Sequence, residues 1–198
     1  MFRMSISPTR KELSHARIVD VAAKAIRRSG YRGVGVADIM KEAGLTHGGF
    51  YAHFESRDAL MVEALSKAGQ ENIASLSEAI ERRLTKGGTR FQALVEIYLN
   101  DAHMGRTESG CVIAALASEI TRLEDSVRNE ARSRVNAMIA LVQTSLPDCS
   151  DESEASAITA TMVGALQLAR SLGGKAGRTL LAHTRQALIE RHNHVKHH

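Results

Sequence analysis

The apolar residues of this 198-residue chain recur at the spacing of helices, and no stretch of strand length alternates between polar and apolar positions. A helix is predicted first at about 10–29. Its inward face is made by Ile18, Ala22, Ala25 and Ile26. Thr9 and Glu12 form a capping box in front of this helix, and Gly30 is expected to end it.

Glycine- and proline-containing breaks divide the rest of the chain into further helices. We predict them at about 36–43, 47–53, 57–85, 89–104, 110–121, 124–146, 151–172 and 178–191. Ser56 is expected to cap the long helix that follows it, with Asp58 in the first turn to suit the helix dipole. The predicted fold class is therefore all-α, with about nine helices.

The segment 36–53 predicts two short helices joined by a tight turn. The first has one apolar face, made by Val36, Ile39, Met40 and Ala43. Gly44 follows, where a positive φ often ends a helix, and Thr46 is a good N-cap for the second helix. Leu45 and Phe50 are spaced as a hydrophobic staple, which would fix the angle at which the chain enters that helix. Such a helix-turn-helix places its second helix in the major groove of DNA.

This segment resembles the tetracycline-repressor (TetR) family. The resemblance is carried by Ile39, Ala43, Gly44, Leu45, Thr46, Gly48, Phe50, Tyr51, His53, Phe54, Arg57 and Leu60. It covers about residues 15–62. It implies a three-helix DNA-binding domain at 9–62, with its helix-turn-helix motif at about 35–54, and a larger helical domain for effector binding and dimerisation at 63–198.

Two glycines depart from the family's pattern. Gly35 stands where Ser or Thr is expected to cap the first helix of the motif, so it offers no hydroxyl to a phosphate. Gly49 stands beside Gly48, and two glycines weaken a short helix by about 1 kcal/mol each relative to Ala. We expect the missing Cβ atoms to allow the backbone to approach DNA closely, more so at Gly48, which matches the family.

The resemblance and the side-chain chemistry together indicate which residues contact DNA. Residues expected to face phosphates are Thr46, Tyr51, His53 and Arg57. His47 and Gly48 are expected in the first turn of the recognition helix, which is best placed for base edges, and Gly49 is a weaker candidate for close approach.

The positive charge of the chain is concentrated at one end. Residues 1–60 contain ten Lys or Arg and six Asp or Glu, which accounts for the whole net charge of +4. A basic module beside a neutral remainder is typical of a protein with one face turned towards nucleic acid.

The last two predicted helices suggest a homodimer. Small and apolar side chains cover most of the circumference of the helix at 151–172, so it must be buried on several sides. The candidate interface residues are Ser156, Ala160, Gly164, Leu168, Leu181 and Leu188. The resemblance implies a four-helix bundle between two copies, which would present two recognition helices to a palindromic operator. The alternative is that both helices belong to the core of a monomer.

The residues beyond position 63 supply aliphatic side chains and only two aromatic ones, Phe91 and Tyr98. An effector cavity is therefore expected to be modest and aliphatic, around Phe91, Tyr98 and Met104 with Cys111 at its edge. The alternative is that this lining is simply core. Cys111 follows Gly110 at an expected helix start, which suits either a reactive thiol or a small buried apolar residue.

The sequence carries no signature of catalysis and no predicted cofactor. Two cysteines, Cys111 and Cys149, match no zinc spacing, and no phosphate-binding loop is found, so neither a metal site nor an enzyme is predicted. No apolar run is long enough to span a bilayer, which favours a cytoplasmic protein. The implied function is a transcriptional regulator that binds double-stranded DNA, most simply a repressor released by a small-molecule effector. The alternative is a ligand-free or partner-controlled DNA-binding protein.

Overall fold

The computed structural model describes residues 8–147 and 151–192, so Cys149 lies outside the described residues. Within these ranges the chain forms nine α-helices and one 3₁₀ helix, without strands, which confirms the all-α prediction. The α-helices are α1 (Arg10–Ser29), α2 (Val36–Glu42), α3 (Arg57–Leu84), α4 (Arg90–Tyr98), α5 (Asp101–Gly105), α6 (Val112–Ile120), α7 (Asp125–Ser145), α8 (Glu152–Leu172) and α9 (Gly174–His192). The 3₁₀ helix, His47–Ala52, lies between α2 and α3. No helix of the described ranges is long and apolar enough to cross a membrane.

The local signals at the start of the chain are confirmed. The Thr9 hydroxyl accepts from the Glu12 amide at 3.2 Å, and the Glu12 carboxylate accepts from the Thr9 amide at 2.7 Å, which completes the capping box. Gly30 ends α1 at a φ of +75°, and Gly44 follows α2 at +70°. The Ser56 hydroxyl accepts from the Ala59 amide at 3.0 Å and so caps α3.

The predicted helix at 47–53 is present, and it is of the 3₁₀ type. Residues 47–52 form a single 3₁₀ helix rather than an α-helix, and the hydroxyl of its N-cap residue, Thr46, makes no capping hydrogen bond. Two adjacent glycines and only six residues give little α-helical propensity, and 3₁₀ geometry is common in short pieces of this kind.

The predicted helix at 89–104 is in fact two helices. It breaks at Leu99, which has a φ of −97° and a ψ of 55°, and Asn100 caps the next helix by accepting from the His103 amide at 2.7 Å. The Asn100 amide donates back to the Ile97 carbonyl at 2.7 Å, and the His103 ring donates to the Tyr98 carbonyl at 2.7 Å. These side-chain bonds replace the helical ones and so stabilise the break. One further difference is that α9 begins at Gly174 and not near 178, because Gly173 and Gly174 make the turn, with φ values of +64° and +45°.

Two apolar clusters form the core, and α3, α6 and α7 contribute to both. The N-terminal cluster joins α1, α2 and the 3₁₀ helix to the first half of α3, and it also contains Val112 and Leu116 of α6. The C-terminal cluster joins the second half of α3 to α4, α7, α8 and α9, and it contains Ala114 of α6. The proposed division between 9–62 and 63–198 therefore falls inside α3, and α6 completes the core of the N-terminal module.

Polar contacts also fix the N-terminal module on α6. The Glu119 carboxylate accepts from the backbone amides of Tyr31 and Arg32 at 3.4 and 3.3 Å. It lies so close to Gly30 that a Cβ there would be 2.4 Å from Glu119 Oε1. Gly30 is thus required both by its positive φ and by this close approach. A movement of α6 would be transmitted directly to the end of α1.

Candidate DNA interface

Two buried phenylalanines pack the 3₁₀ helix against the core of the N-terminal module. Phe50 and Phe54 are buried, and their ring centroids are 5.6 Å apart. The next ring along the chain, Tyr51, meets Phe50 edge-on at 5.3 Å and is 73% exposed. A buried aromatic base under an exposed phenol gives a short helix a fixed orientation with its polar side in solvent.

The exposed side of this helix contains most of the predicted DNA contacts. Thr46, His47, Gly48 and Tyr51 are exposed, and Gly49 is half-buried. The structure therefore brings one hydroxyl, one imidazole and one phenol together on six consecutive residues. These groups can donate hydrogen bonds to phosphate oxygens or meet the edges of bases.

The packing of the chain itself does not require a glycine at position 48 or 49. A Cβ on Gly48 would meet nothing within 4 Å, and one on Gly49 would lie at an ordinary 3.6 Å from the Thr46 hydroxyl. Neither residue is among the glycines with a positive φ. Any need for a bare backbone here must come from outside the protein.

His53 ends the 3₁₀ helix and is half-buried. Burial, with smaller contributions from His15 and Lys11, lowers the pKa of His53, so the ring is neutral at pH 7. Its Nδ1 is buried without a hydrogen-bond partner among the described residues. As a neutral ring it offers one N–H donor and no charge.

Arg57 is engaged within the protein. Its guanidinium donates to the backbone carbonyls of Tyr31 and Val34 and lies over the Tyr31 ring, 4.2 Å from the centroid. The Tyr31 hydroxyl in turn bonds to Asp58, and burial is the main cause that raises the pKa of Tyr31 to about 12. This cluster fixes the loop after α1 against the start of α3, so Arg57 positions the helix-turn-helix.

Three cations of the N-terminal module that the motif does not single out are also candidates. Lys11, Arg32 and Lys41 are exposed, and their side chains make no ion pair with the described residues. Arg28, by contrast, lies 3.2 Å from both Glu42 and Glu108, and these carboxylates raise its pKa. In the sequence, only the net positive charge of the N-terminal module indicated that cations such as Lys11, Arg32 and Lys41 could contact DNA.

Comparison with known proteins places this site in a family. Residues 18–64 match the model of the bacterial regulatory proteins of the tetR family. The HTH-type transcriptional repressor NemR of Escherichia coli (strain K12) is 26% identical over 117 residues, or 59% of this chain and 59% of that protein. The HTH-type transcriptional repressor DhaR of Mycobacterium sp. (strain GP1) is 28% identical over 127 residues, or 64% of this chain and 60% of that protein. The chain thus spans less than two thirds of the length of these relatives.

The fold agrees over a greater length. The crystal structure of a TetR transcriptional regulator from Legionella pneumophila has a TM-score of 0.73, covering 96% of this chain and 100% of that one at 25% identity. The comparisons support a TetR-family regulator. All the predicted DNA contacts, from Thr46 to Arg57, lie within the matched residues 18–64.

The six residues predicted at a dimer interface divide into two groups. Leu168 is 58% exposed, Ala160 is exposed, and Ser156 and Gly164 are half-buried on α8. Leu181 and Leu188 of α9 are instead buried in the C-terminal cluster of the single chain. The side of α9 that faces solvent contains Ala176, Thr179, His183 and Ala187.

The residues predicted around an effector lie in the C-terminal cluster. Phe91, Tyr98 and Cys111 are buried, and Met104 is half-buried against them. The Tyr98 hydroxyl has no hydrogen-bond partner among the described residues, and burial, with Cys111 nearby, raises the pKa of Tyr98 well above its usual value. None of the four lines the cavities described for this chain, whose linings lie on α1, α3, α8, α9 and around the α4–α5 junction.

Proposed function

We propose that the protein is a transcriptional repressor that binds a palindromic operator in double-stranded DNA as a homodimer and is released by a small-molecule effector. The observation that carries this proposal is the exposed segment 46–51 on its buried base of Phe50 and Phe54. Both relatives are named transcriptional repressors, which favours a regulator over an enzyme. A repressor acts on chromosomal DNA, so we place its activity in the cytoplasm.

Each exposed group has a proposed role. Thr46, Tyr51 and the neutral ring of His53 donate to phosphates, which sets the register of the module on the duplex. His47 reads a base edge, and Gly48 lets the backbone approach the groove. Arg57 contributes indirectly, because it holds the loop after α1 in place.

The exposed glycine provides the experiment that tests this function. Replacing Gly48 with Ala is expected to stabilise the free protein by about 0.5 to 1 kcal/mol, because the site is open and the φ is not positive. The same change should weaken operator binding, because the new methyl group occupies space that the DNA would fill. Urea unfolding and fluorescence anisotropy on a selected duplex measure the two effects.

Gly105→Ala is the matched control, since a Cβ there also meets nothing within 4 Å. It should leave DNA affinity unchanged. If Gly48→Ala binds DNA as tightly as the unaltered protein, the close approach proposed for the 3₁₀ helix is wrong.

The proposed dimer uses the exposed sides of α8 and α9. Along α8 the exposed or half-exposed positions Ala157, Ala160, Gly164, Leu168 and Leu172 share one side. A groove of about 490 Å³ between α8 and α9 is lined mainly by small and apolar side chains. Two copies packed through this face would form a four-helix bundle and bury leucines that are otherwise in water.

Replacing Leu168 with Glu is expected to shift the dimer strongly towards monomers. The change puts a charge at the centre of an apolar interface, where an unpaired charge costs several kcal/mol. Sedimentation equilibrium measures the monomer–dimer constant. Leu13→Glu is the control, because Leu13 is 53% exposed on α1, outside the proposed interface. An unchanged constant for Leu168→Glu would place the interface elsewhere.

Release of DNA is proposed to pass through α6. This helix places Val112 and Leu116 in the core of the N-terminal module and Ala114 in the C-terminal cluster. We assume two conformations that differ in the position of α6. An effector that binds one of them more tightly shifts the equilibrium towards it, by no more than the difference between the two binding free energies. A ligand-free or partner-controlled protein is the alternative. Operator affinity that no small molecule alters, with no ligand bound to the purified protein, would favour that alternative.

A further inference from the structure

A cavity of about 170 Å³ lies between α3, the break between α4 and α5, and the loop from Arg106 to Ser109. Its lining is mainly polar, unlike the aliphatic cavity expected from composition. The polar residues that line it are Asn72, Ser75, Arg82, Asn100, Arg106 and Ser109. It lies on the loop that runs directly into α6.

Asn72 is the first sign that the cavity binds a ligand. Its residue is only 8% exposed, and its side-chain amide makes no hydrogen bond with the described residues. Its polar atoms are nevertheless open to the cavity, since they are not among the fully buried unpaired atoms of the described residues. A ligand with hydrogen-bonding groups in the cavity would supply the missing partner.

The charge of the lining indicates the class of ligand. Arg106 makes no ion pair with the described residues, and Arg82 has only the exposed Glu78 at 3.6 Å. No acidic side chain is among the described residues that line the cavity. Arg106 therefore gives the lining one unpaired positive charge, and Arg82, which is 70% exposed, gives it a second charge that Glu78 partly compensates.

His103 also lines the cavity but adds no charge. Its Nδ1–H donates to the Tyr98 carbonyl at 2.7 Å, and its Nε2 accepts from the Cys111 amide at 3.2 Å. Burial is the main cause that lowers its pKa to about 4, so the ring is neutral at pH 7. Asn100 is likewise engaged with the backbone, which leaves Asn72, Arg82 and Arg106 to recognise a ligand.

We propose that this cavity binds a small organic oxyanion, and, resting on the proposed function, that this anion is the effector. Guanidinium groups bind carboxylates and phosphates through paired, charge-assisted hydrogen bonds. A volume of about 170 Å³ is below the roughly 300–1,000 Å³ of pockets for drug-sized ligands, which favours a small ligand.

The loop that lines the cavity has two links to the rest of the protein. The Arg170 guanidinium donates to the carbonyls of His103 at 3.2 Å and Arg106 at 3.0 Å, which ties the loop to α8. Glu108 binds Arg28 of α1 at 3.2 Å. An exposed ion pair of this kind contributes little, so the loop acts on the DNA-binding module chiefly through the packing of α6.

Isothermal titration of the full chain without DNA tests the site. The probes are pyruvate, succinate and inorganic phosphate, with acetamide and succinamide as neutral controls. At least one anion is expected to bind with a Kd below about 1 mM, and neither amide should bind. Binding of phosphate alone would assign the site to phosphorylated ligands, and binding of the carboxylates alone would assign it to carboxylic acids.

Three variants distinguish specific binding of the anion in this cavity from nonspecific electrostatic attraction to the protein. Arg106→Gln should weaken binding at least about tenfold, because it removes a charge-assisted hydrogen bond. Asn72→Leu should also weaken binding at least about tenfold, because it removes a hydrogen-bonding amide from the lining of the cavity. Arg122→Gln, at an exposed arginine outside the lining, should bind as the unaltered protein does.

The site is overturned if no anion binds, if the amides bind as well, or if Arg106→Gln leaves the affinity unchanged. Because these titrations contain no DNA, any of those results leaves the proposed DNA-binding function intact. An anion that binds at this site and leaves operator affinity unchanged would overturn its role as effector.

Discussion

Replacing Tyr51 with Phe is expected to weaken operator binding by about 1.5 to 3 kcal/mol per subunit, the usual contribution of a hydrogen bond to a charged group. Tyr51 is 73% exposed, and its ring meets buried Phe50 edge-on, so the variant should fold normally and keep its stability within about 0.5 kcal/mol. The loss should be equal on specific and random duplexes, because a phosphate contact carries no sequence information.

His47→Ala is the companion variant, since it removes a side chain proposed to read a base. It should change preference at one base pair by about 1 to 3 kcal/mol and leave binding at the other positions unchanged. Fluorescence anisotropy on a set of singly mutated duplexes measures both variants. If both bind every duplex with unaltered affinity, the assignment of the 3₁₀ helix to DNA is wrong.

The second large effect is a loss of the free energy of unfolding at acidic pH, and His103 is its cause. Its pKa is about 4 in the folded protein against an ordinary value of 6.5, mainly because the ring is buried. The unfolded chain therefore takes up a proton at a higher pH than the folded chain does. The stabilisation is complete above pH 6.5 and is lost progressively as the pH falls from 6.5 to 4, by as much as about 3 kcal/mol.

Urea unfolding at pH 7.5, 5.5 and 4.0 measures this loss. His103→Gln should be less stable at pH 7.5, because the Tyr98 carbonyl and the Cys111 amide lose their partner, but its stability should change less below pH 6.5. His47→Gln, at an exposed position, should keep the original dependence. An NMR titration that shows the His103 ring taking up its proton near pH 6.5 would contradict the prediction even if the variant fails to fold.

Features encoded by neighbouring residues could be predicted from the sequence. The capping box of Thr9 and Glu12, the Ser56 cap and the positive φ of Gly30 and Gly44 each depend on a few adjacent positions. For that reason the limits of α1 and α3 agree with the structure within a residue or so, and the all-α class followed from them.

Features set by tertiary contacts could not be predicted. The break at Leu99 depends on the His103 ring, whose second nitrogen is bound by the amide of Cys111, eight residues further on. The periodicity marks Leu181 and Leu188 as apolar but does not say whether they face their own subunit or a partner. The cavity joins Asn72 to Arg106, which are distant in sequence and belong to no motif.

The limits of the DNA-binding domain also depend on tertiary contacts as well as on local sequence. The family pattern ends near residue 62, yet the core beneath the motif is completed by Val112 and Leu116 of α6. Nothing in the motif indicates that contact, because it is made by a helix some fifty residues further along the chain. We propose that a ligand in the C-terminal part acts on DNA binding through this shared core.

Selection of bound sequences from a pool of random duplexes tests the central claim most directly. The account predicts enrichment of a two-fold symmetric sequence whose half-sites lie about one helical turn, or 34–36 Å, apart or a multiple of it. Affinity for that sequence should fall steeply with salt, and Tyr51→Phe should bind it more weakly. Recovery of no common sequence, or of a sequence that Tyr51→Phe binds equally well, would contradict it.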